Sequence, residues 1–310
     1  MSEPEPSVPE PRRLEDGEIV APAALVVPAV AEPPLEERRP WLEDHDIVDA
    51  ITVPGCYTPL YLTDEGVAIT TTGIGKSDAA TTVTALLATP SIDLSSAYVL
   101  STGIAGAPPD QAALGSVVVA DAVVDWDRKH RWGRSDSSGD SAIDLLSYRP
   151  REYAHRLEAD LVESALDAAQ AVSLLENDDA RAYQDRYPDA VDAETTVRTG
   201  TTVCGDEFWH GSRHAREVEW LCEQYGVAPY VTTQMEDAAT ATALARFGVL
   251  ERYLSVRAVA NYDRPAPGES VEESFDGTGE SLELAIENAA IVGSAVVSVL
   301  LETDPLGVRA

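Results

Sequence analysis

The pattern of apolar and polar positions along the chain predicts strands that alternate with helices. Apolar runs of strand length, rich in valine and other β-type residues, occur at residues 24–30, 67–71, 96–100, 115–124, 196–204 and 254–260. Helical patterns occur at residues 77–87, 151–172, 215–225, 237–247 and 281–301. Strands with glycine-rich exits that alternate with helices are typical of a mostly parallel sheet covered on both faces. We therefore expect an α/β fold, a single domain with a central mixed, largely parallel sheet flanked by helices.

The ends and loops are distinguished by composition. Residues 1–17 are rich in proline and glutamate, which predicts a disordered acidic tail before one domain at residues 18–310. The polar residues 127–141 are typical of a surface loop or lid. Residues 176–192 are acidic, and we expect them to be solvated.

The charge balance restricts the partners. The chain carries 54 acidic and 22 basic residues, for a net charge of −32, and Lys76 and Lys129 are its only lysines. Such a surface repels nucleic acid and anionic membranes, and it resembles proteins that fold in concentrated salt, where charges are screened within about 3 Å at 1 M. We expect a halophilic, cytoplasmic protein that binds no nucleic acid. The alternative is an acidic mesophilic protein, and unfolding at low ionic strength distinguishes the two.

Cysteines and apolar runs exclude two further classes. The three cysteines show no CxxC spacing, and their odd number argues against a complete disulfide framework. The apolar run at residues 19–31 is interrupted by Pro22 and Pro28, and no run approaches the roughly 20 residues of a membrane-spanning helix. We therefore expect no membrane insertion.

Several motifs occur in a fixed order. They are GIGK at 73–76, TGIAG at 102–106, GSVVV at 115–119, GDEF at 205–208, MEDA at 235–238 and RAVAN at 257–261. This order resembles the nucleoside phosphorylase superfamily, most nearly its nucleosidase branch that cleaves methylthioadenosine and adenosylhomocysteine. The variant forms GDEFWHG at 205–211, QMED at 234–237 and ANYDRP at 260–265 are more specifically similar to the purine nucleoside permease family. The resemblance extends from about residue 24 to the C-terminus.

The resemblance implies a site for a purine nucleoside, whose sugar a carboxylate would hold. Cleaving an N-glycosidic bond passes through a cation-like sugar, so catalysis needs an anion near the ribose, a donor to the departing base and little water. By resemblance, Glu236 accepts hydrogen bonds from the ribose 2′- and 3′-hydroxyls and Met235 packs under the sugar ring. The alternative for Glu236 is a helix-start glutamate, which the helix dipole stabilises by only about 0.3 to 1 kcal/mol.

The base would be held by aromatic and amide side chains. The resemblance implies that Phe208 stacks on the purine and that Trp209 extends this wall. Asn261 stands where the nucleosidase branch has an aspartate that protonates the base. An amide offers a donor and an acceptor but no acidic proton, which favours 6-oxopurine nucleosides. Asp263 is then either the acid or a turn residue before Pro265.

The remaining candidates line the pocket. Its floor is expected to consist of four consecutive residues, namely Thr102, Gly103, Ile104 and Ala105, because ligands of open α/β sheets bind at the carboxyl ends of strands. His210 and His214 have the four-residue spacing of helix-borne zinc ligands, but the sequence offers no obvious third ligand. We therefore expect no metal and assign His210 to the pocket lining.

The acceptor of the sugar is either water or phosphate. Phosphorylases of the superfamily usually carry an arginine where this chain has Ser101, and the loop at residues 28–34 has no glycine to form a nest of amides for an anion. This favours water, activated by Glu32 or Glu36, with phosphate as a possible co-substrate and no other cofactor.

Two classes of function follow. The first is a purine nucleosidase or nucleoside phosphorylase, and the resemblance implies a homo-oligomer whose subunits help to close each other's sites. The second is a soluble nucleoside-binding component of transport that performs no turnover. A nicotinamide enzyme is disfavoured because neither glycine turn has the GxGxxG pattern.

Overall fold

The computed structural model describes residues 8–132, 143–145, 148, 153–275 and 277–309. The strands are β1 Ala24–Val27, β2 Ile47–Ile51, β3 Leu60–Thr63, β4 Val67–Ile69, β5 Tyr98–Ala107, β6 Val117–Asp125, β7 Lys129–Arg131, β8 Ile143–Leu145, β9 Ala154–Arg156, β10 Val197–Cys204, β11 Tyr230–Gln234 and β12 Tyr253–Tyr262. The α-helices are α1 Arg39–Glu43, α2 Gly75–Ala88, α3 Ala159–Gln170, α4 Asp178–Gln184, α5 Ser212–Tyr225, α6 Asp237–Phe247 and α7 Gly279–Thr303, and a 3₁₀ turn spans Leu250–Arg252.

The central sheet closes partly on itself. Its strand order is β11-β10-β6-β12-β5-β1-β4-β3-β2, and β9 pairs with β6. A further contact between β11 and β5, at Thr233 and Gly106, joins β5, β12, β6, β10 and β11 into a ring. β5 and β12 are each ten residues long, so each extends from the open part of the sheet into this ring.

The central sheet is mixed. Parallel pairs join β1 to β4 and β5, β5 to β12, and β10 to β6 and β11. Antiparallel pairs join β2 to β3, β3 to β4, β5 to β11, β6 to β9 and β6 to β12. Among the described strands of this central sheet the two kinds of pair are equally numerous. A mixed sheet was expected, but the sequence did not show which strands are antiparallel, because the hydrophobic pattern of a buried strand carries no information about direction.

The expected helices and buried strands are present, and several boundaries differ. β5 continues through the predicted glycine turn at residues 102–106, and β2, β3 and β11 were not expected. Residues 154–156 form a strand instead of belonging to a helix. Part of the acidic stretch is also buried, because α4 turns Tyr183 and Gln184 inward and Tyr187 follows them. Most of the expected polar loop at 127–141 lies outside the described residues.

The closing helix α7 is apolar enough to span a membrane by length and composition. Its most apolar window of 18 residues has a mean hydropathy of 2.0, so the expectation that no run approaches 20 residues was wrong for α7. In the structure 61% of that window is buried, and α7 packs against β12, β5 and α3. This is the environment of a core helix.

Part of the expected N-terminal tail pairs with the edge strand β2. Residues 1–7 lie outside the described residues, whereas Arg12 pairs with β2 through backbone hydrogen bonds to Ala50 and Thr52. The Arg12 side chain also forms ion pairs with Glu18 and Asp49.

Candidate active site

Glu236 lies buried between β11 and α6, at the start of the helix. Its Oε1 accepts a hydrogen bond from the Gly75 amide at 2.9 Å, and its Oε2 lies 3.5 Å from Arg257 Nη1. Gln234 fixes the turn, because its Oε1 accepts the amides of Glu236 and Asp237 at 2.7 and 2.9 Å. Glu236 is therefore held from three elements, which a simple helix-start residue does not require.

Several charged groups surround the Glu236 carboxylate. Arg257 pairs with Asp237, which also accepts a hydrogen bond from the Ser255 hydroxyl at 2.6 Å. Burial raises the pKa of Glu236 to about 7, partly offset by Arg257 and the Gly75 amide. The carboxyl group of Glu236 thus changes protonation near neutral pH.

A second buried carboxylate, Glu37, interacts electrostatically with Glu236 and was missed by the sequence reasoning. Its Oε2 accepts the amides of Ala29 and Val30 at 2.8 and 3.1 Å, and its Oε1 accepts the Ile104 amide at 2.8 Å. Burial raises the pKa of Glu37, and Arg257 opposes this effect. Glu37 and Glu236 are close enough for the charge of Glu37 to raise the pKa of Glu236 as well.

The predicted floor of the pocket is the segment that holds Glu37. Gly103 has a φ of +154°, and a Cβ there would collide with the Glu37 carboxylate. Ile104 supplies the amide described above, and Ala105 is buried beside it. Thr102 is also buried, but its hydroxyl donates to the Ala289 carbonyl of α7 at 3.3 Å.

The side chains predicted to bind the purine lie around Phe275. The rings of Phe208 and Phe275 lie 4.5 Å apart, and Phe208 is 55% exposed. Asn261 Nδ2 donates to the Phe275 carbonyl at 3.0 Å. His210 Nε2 lies 2.7 Å from the Ser274 hydroxyl, and burial lowers the pKa of His210. The structure therefore brings Phe208, Asn261 and His210 together.

Asp263 and Trp209 lie in a neighbouring cluster. Asp263 is buried, accepts the Tyr230 hydroxyl at 2.5 Å and pairs with Arg264 at 2.6 Å. The Trp209 ring lies 6.5 Å from Tyr230 and 6.2 Å from Trp126. Asp263 is thus engaged in an ion pair, and the half-buried Trp209 packs against the core cluster that contains Trp126 and Tyr230.

The predicted bases Glu32 and Glu36 do not occupy the position of Glu37. Glu32 is exposed, and its Oε1 accepts the Tyr57 hydroxyl at 3.3 Å; Glu36 is half-buried. The glutamate-rich segment after β1 was the sequence signal for a base that activates water. The spacing of residues across an irregular loop does not show which glutamate turns inward. Met235 is half-buried next to Glu236.

No metal site accompanies these groups in the part of the chain that the structure describes. There, no group of three or more His, Cys, Asp or Glu side chains is arranged to hold an ion. The spacing of His210 and His214 therefore has no third partner among the described residues.

The model of the purine nucleoside permease (NUP) family matches residues 21–304. The chain belongs to the purine nucleoside permease family. Among its relatives, a probable purine nucleoside permease of Schizosaccharomyces pombe is 28% identical over 295 residues, which cover 84% of this chain and 85% of that protein. The purine nucleoside permease of Candida albicans is 26% identical over 290 residues, covering 84% and 71% of the two chains.

Solved structures of nucleosidases share the fold of this permease family member. The 5′-methylthioadenosine/S-adenosylhomocysteine nucleosidase of Neisseria meningitidis aligns with a TM-score of 0.59 and 20% identity, covering 90% of this chain and 99% of the nucleosidase. The futalosine hydrolase of Helicobacter pylori aligns with a TM-score of 0.57 and 19% identity, covering 89% and 97%. The nucleoside phosphorylase-like fold is thereby established.

Proposed function

We propose that this protein binds a purine nucleoside and hydrolyses the bond between base and sugar. The observation that supports it best is the pair of buried carboxylates, Glu37 and Glu236, which are held by backbone amides and share Arg257. Burying two carboxylates together is costly, and such arrangements concentrate at functional sites. The family membership and the nucleosidase fold agree with this chemistry.

The two carboxylates have different roles in this proposal. Glu236 accepts hydrogen bonds from the ribose hydroxyls, and its charge stabilises the cation-like sugar in the transition state. Glu37 takes the proton of the attacking water. Its Oε1 accepts one amide, that of Ile104, so a second acceptor position of this oxygen remains for water.

Water is favoured over phosphate because Glu37 fills the position that an anion would take. The amides of Ala29, Val30 and Ile104 converge on one point, as in the backbone nests that bind phosphate. The loop after β1 thus forms a nest without glycine, contrary to expectation, and a carboxylate of the chain already occupies it. Phosphate would have to displace Glu37 from three hydrogen bonds.

The base would lie between Phe208 and Asn261. Phe208 is exposed enough to stack on a purine, while Asn261 bonds to a carbonyl that a base edge could replace. A preference for 6-oxopurines remains a prediction that depends on the amide of Asn261. Asp263 is not proposed as the acid, because Arg264 and Tyr230 engage its carboxylate.

A nucleoside-binding role in transport is the second candidate. It is favoured by the names of the curated relatives, which are purine nucleoside permeases. Such a protein would use Glu236 and Phe208 to bind the nucleoside and would release no free base.

One assay separates these functions. Purified protein is incubated with inosine, guanosine and adenosine, with and without phosphate, and free base is detected by chromatography. Hydrolysis predicts base release that does not require phosphate and that Glu37→Gln abolishes while nucleoside still binds. Strict dependence on phosphate would contradict the role of Glu37. Saturable binding without free base would favour the transport role.

A further inference from the structure

The first turn of α2 touches both halves of the proposed site. The Gly75 amide donates to Glu236 Oε1 at 2.9 Å, and the next amide, that of Lys76, donates to Asp206 Oδ1 at 2.5 Å. Glu236 belongs to the sugar side, whereas Asp206 lies in the loop at residues 205–211 that carries Phe208. Two successive amides of one helix therefore hold carboxylates from the sugar side and from the base side.

The side chain of Lys76 holds the same loop by a second route. Its Nζ lies 2.6 Å from Asp125 Oδ1 and 2.8 Å from Asp127 Oδ2. Asp127 Oδ2 in turn accepts the Asp206 amide at 2.9 Å. Lys76 therefore fixes Asp206 through its own amide and again through Asp127, and its side chain is only 14% exposed.

The local backbone is adapted to this arrangement. Gly75 has a φ of +85°, and a Cβ there would lie 2.9 Å from Asp206 Oδ1. The missing side chain lets the Asp206 carboxylate approach the end of the helix. The positive end of the α2 dipole favours carboxylates at this position.

We propose that Lys76 and Asp206 are positioning residues that couple the sugar carboxylate Glu236 to the base-binding loop. This inference rests on the nucleoside site proposed above. Gly75 and Lys76 belong to one helical turn, so a displacement of the loop is transmitted to the hydrogen bond of Glu236. Both halves of the site are thus set relative to each other before the nucleoside arrives, which lowers the cost of orienting it.

The test uses Asp206→Ala with Glu207→Ala as the matched control. Both residues are exposed, adjacent and acidic, and Glu207 is not part of this network in the described contacts. We expect Asp206→Ala to raise the KM or Kd for inosine about 10- to 100-fold, as misplacement of a positioned group does, and Glu207→Ala to leave it unchanged.

A second readout needs no nucleoside. The pKa of Glu236 is measured by carboxyl NMR, together with hydrogen exchange of the Gly75 and Lys76 amides. The charged groups facing Glu236 are Arg257, Glu37 and Asp237, and the Gly75 hydrogen bond lowers its pKa. Asp206→Ala is expected to loosen that bond, so the pKa of Glu236 should rise and both amides should exchange faster. Loss of a negative charge alone would lower the pKa of Glu236, and Glu207→Ala measures the size of that effect.

The two readouts distinguish this inference from the proposed function. If the wild-type protein binds no nucleoside but Asp206→Ala shifts the pKa of Glu236 upward, the proposed function fails and the coupling stands. If Asp206→Ala leaves both the pKa of Glu236 and the amide exchange at wild-type values, or if Glu207→Ala changes them equally, the coupling is wrong.

Discussion

The carboxylate of Glu37 lies in the space that a side chain on Gly103 would fill. Three backbone amides hold this carboxylate, and one of them, Ile104, directly follows the glycine. Gly103 therefore determines how close the Glu37 carboxylate, the proposed acceptor of the water proton, can approach the floor of the site.

Replacing this glycine should disrupt the site. In Gly103→Ala the new methyl group meets a carboxylate that cannot move without losing hydrogen bonds, and the φ of +154° disfavours a side chain. We expect a loss of about 1 to 3 kcal/mol in the free energy of unfolding and loss of base release. Denaturant unfolding measures the first quantity. Gly279→Ala is the control, since a Cβ there meets nothing within 4 Å; equal stability of the two variants would contradict the packing of Glu37.

Nucleoside binding should depend on pH through Glu236. Burial raises the pKa of this group to about 7, and only its ionised form accepts hydrogen bonds from both ribose hydroxyls. The Kd for inosine should therefore rise as the pH falls from 8 to 6. Calorimetric titration checks this, and in Glu236→Gln the Kd should be higher and the same pH dependence absent. A wild-type Kd that is constant over this range would exclude the role of Glu236 as an ionised acceptor.

The same group should make stability depend on pH. The pKa of Glu236 is raised from 4.5 to about 7, so the native state binds the proton more tightly than the unfolded chain. Its contribution to stability is present below about pH 4.5 and is lost as the pH rises through about 7. Relative to Glu236→Gln, the wild type should lose on the order of 2 to 3 kcal/mol between these limits. Parallel unfolding curves of both proteins at each pH give the difference, and a constant difference would refute the shift.

Removing the Lys76 ammonium should be costly. It lies between Asp125 and Asp127, and its removal deprives Asp127 of its ion-pair partner, whereas Asp125 keeps Arg128. We expect Lys76→Met to lower the free energy of unfolding by about 3 kcal/mol. The control is Arg12→Gln, because Arg12 also pairs with two carboxylates but its side chain is exposed to solvent, so its loss should cost clearly less. Similar losses for both variants would show that the Lys76 pair is not special.

Stability should also depend strongly on salt. A net charge of −32 makes the folded state repel itself unless counterions screen it. We predict that the protein unfolds at low ionic strength and regains its structure in concentrated sodium chloride, as circular dichroism would show. A fold whose stability does not depend on salt would favour the alternative, an acidic mesophilic protein.

Much of the local structure was predictable from local patterns. The valine-rich runs and the helix at Asp237–Phe247 agree with the structure, because burial periodicity and capping are encoded within a few residues. The motifs also identified the family and placed Glu236 at the start of α6. Strand direction was not predictable, since the burial pattern of a strand is the same in either direction. The closing contact between β11 and β5 was not predictable either, since it joins residues more than a hundred positions apart.

The sequence by itself thus determined the family, most of the buried elements and the residue types of the candidate site. Only the tertiary structure decided that Glu37, and neither Glu32 nor Glu36, receives amides from the loop after β1 and from β5, and that the Tyr230 hydroxyl donates to Asp263. The physical reason is that a carboxylate acquires its role from the donors and charges around it, and those donors come from segments that approach each other only when the sheet has formed.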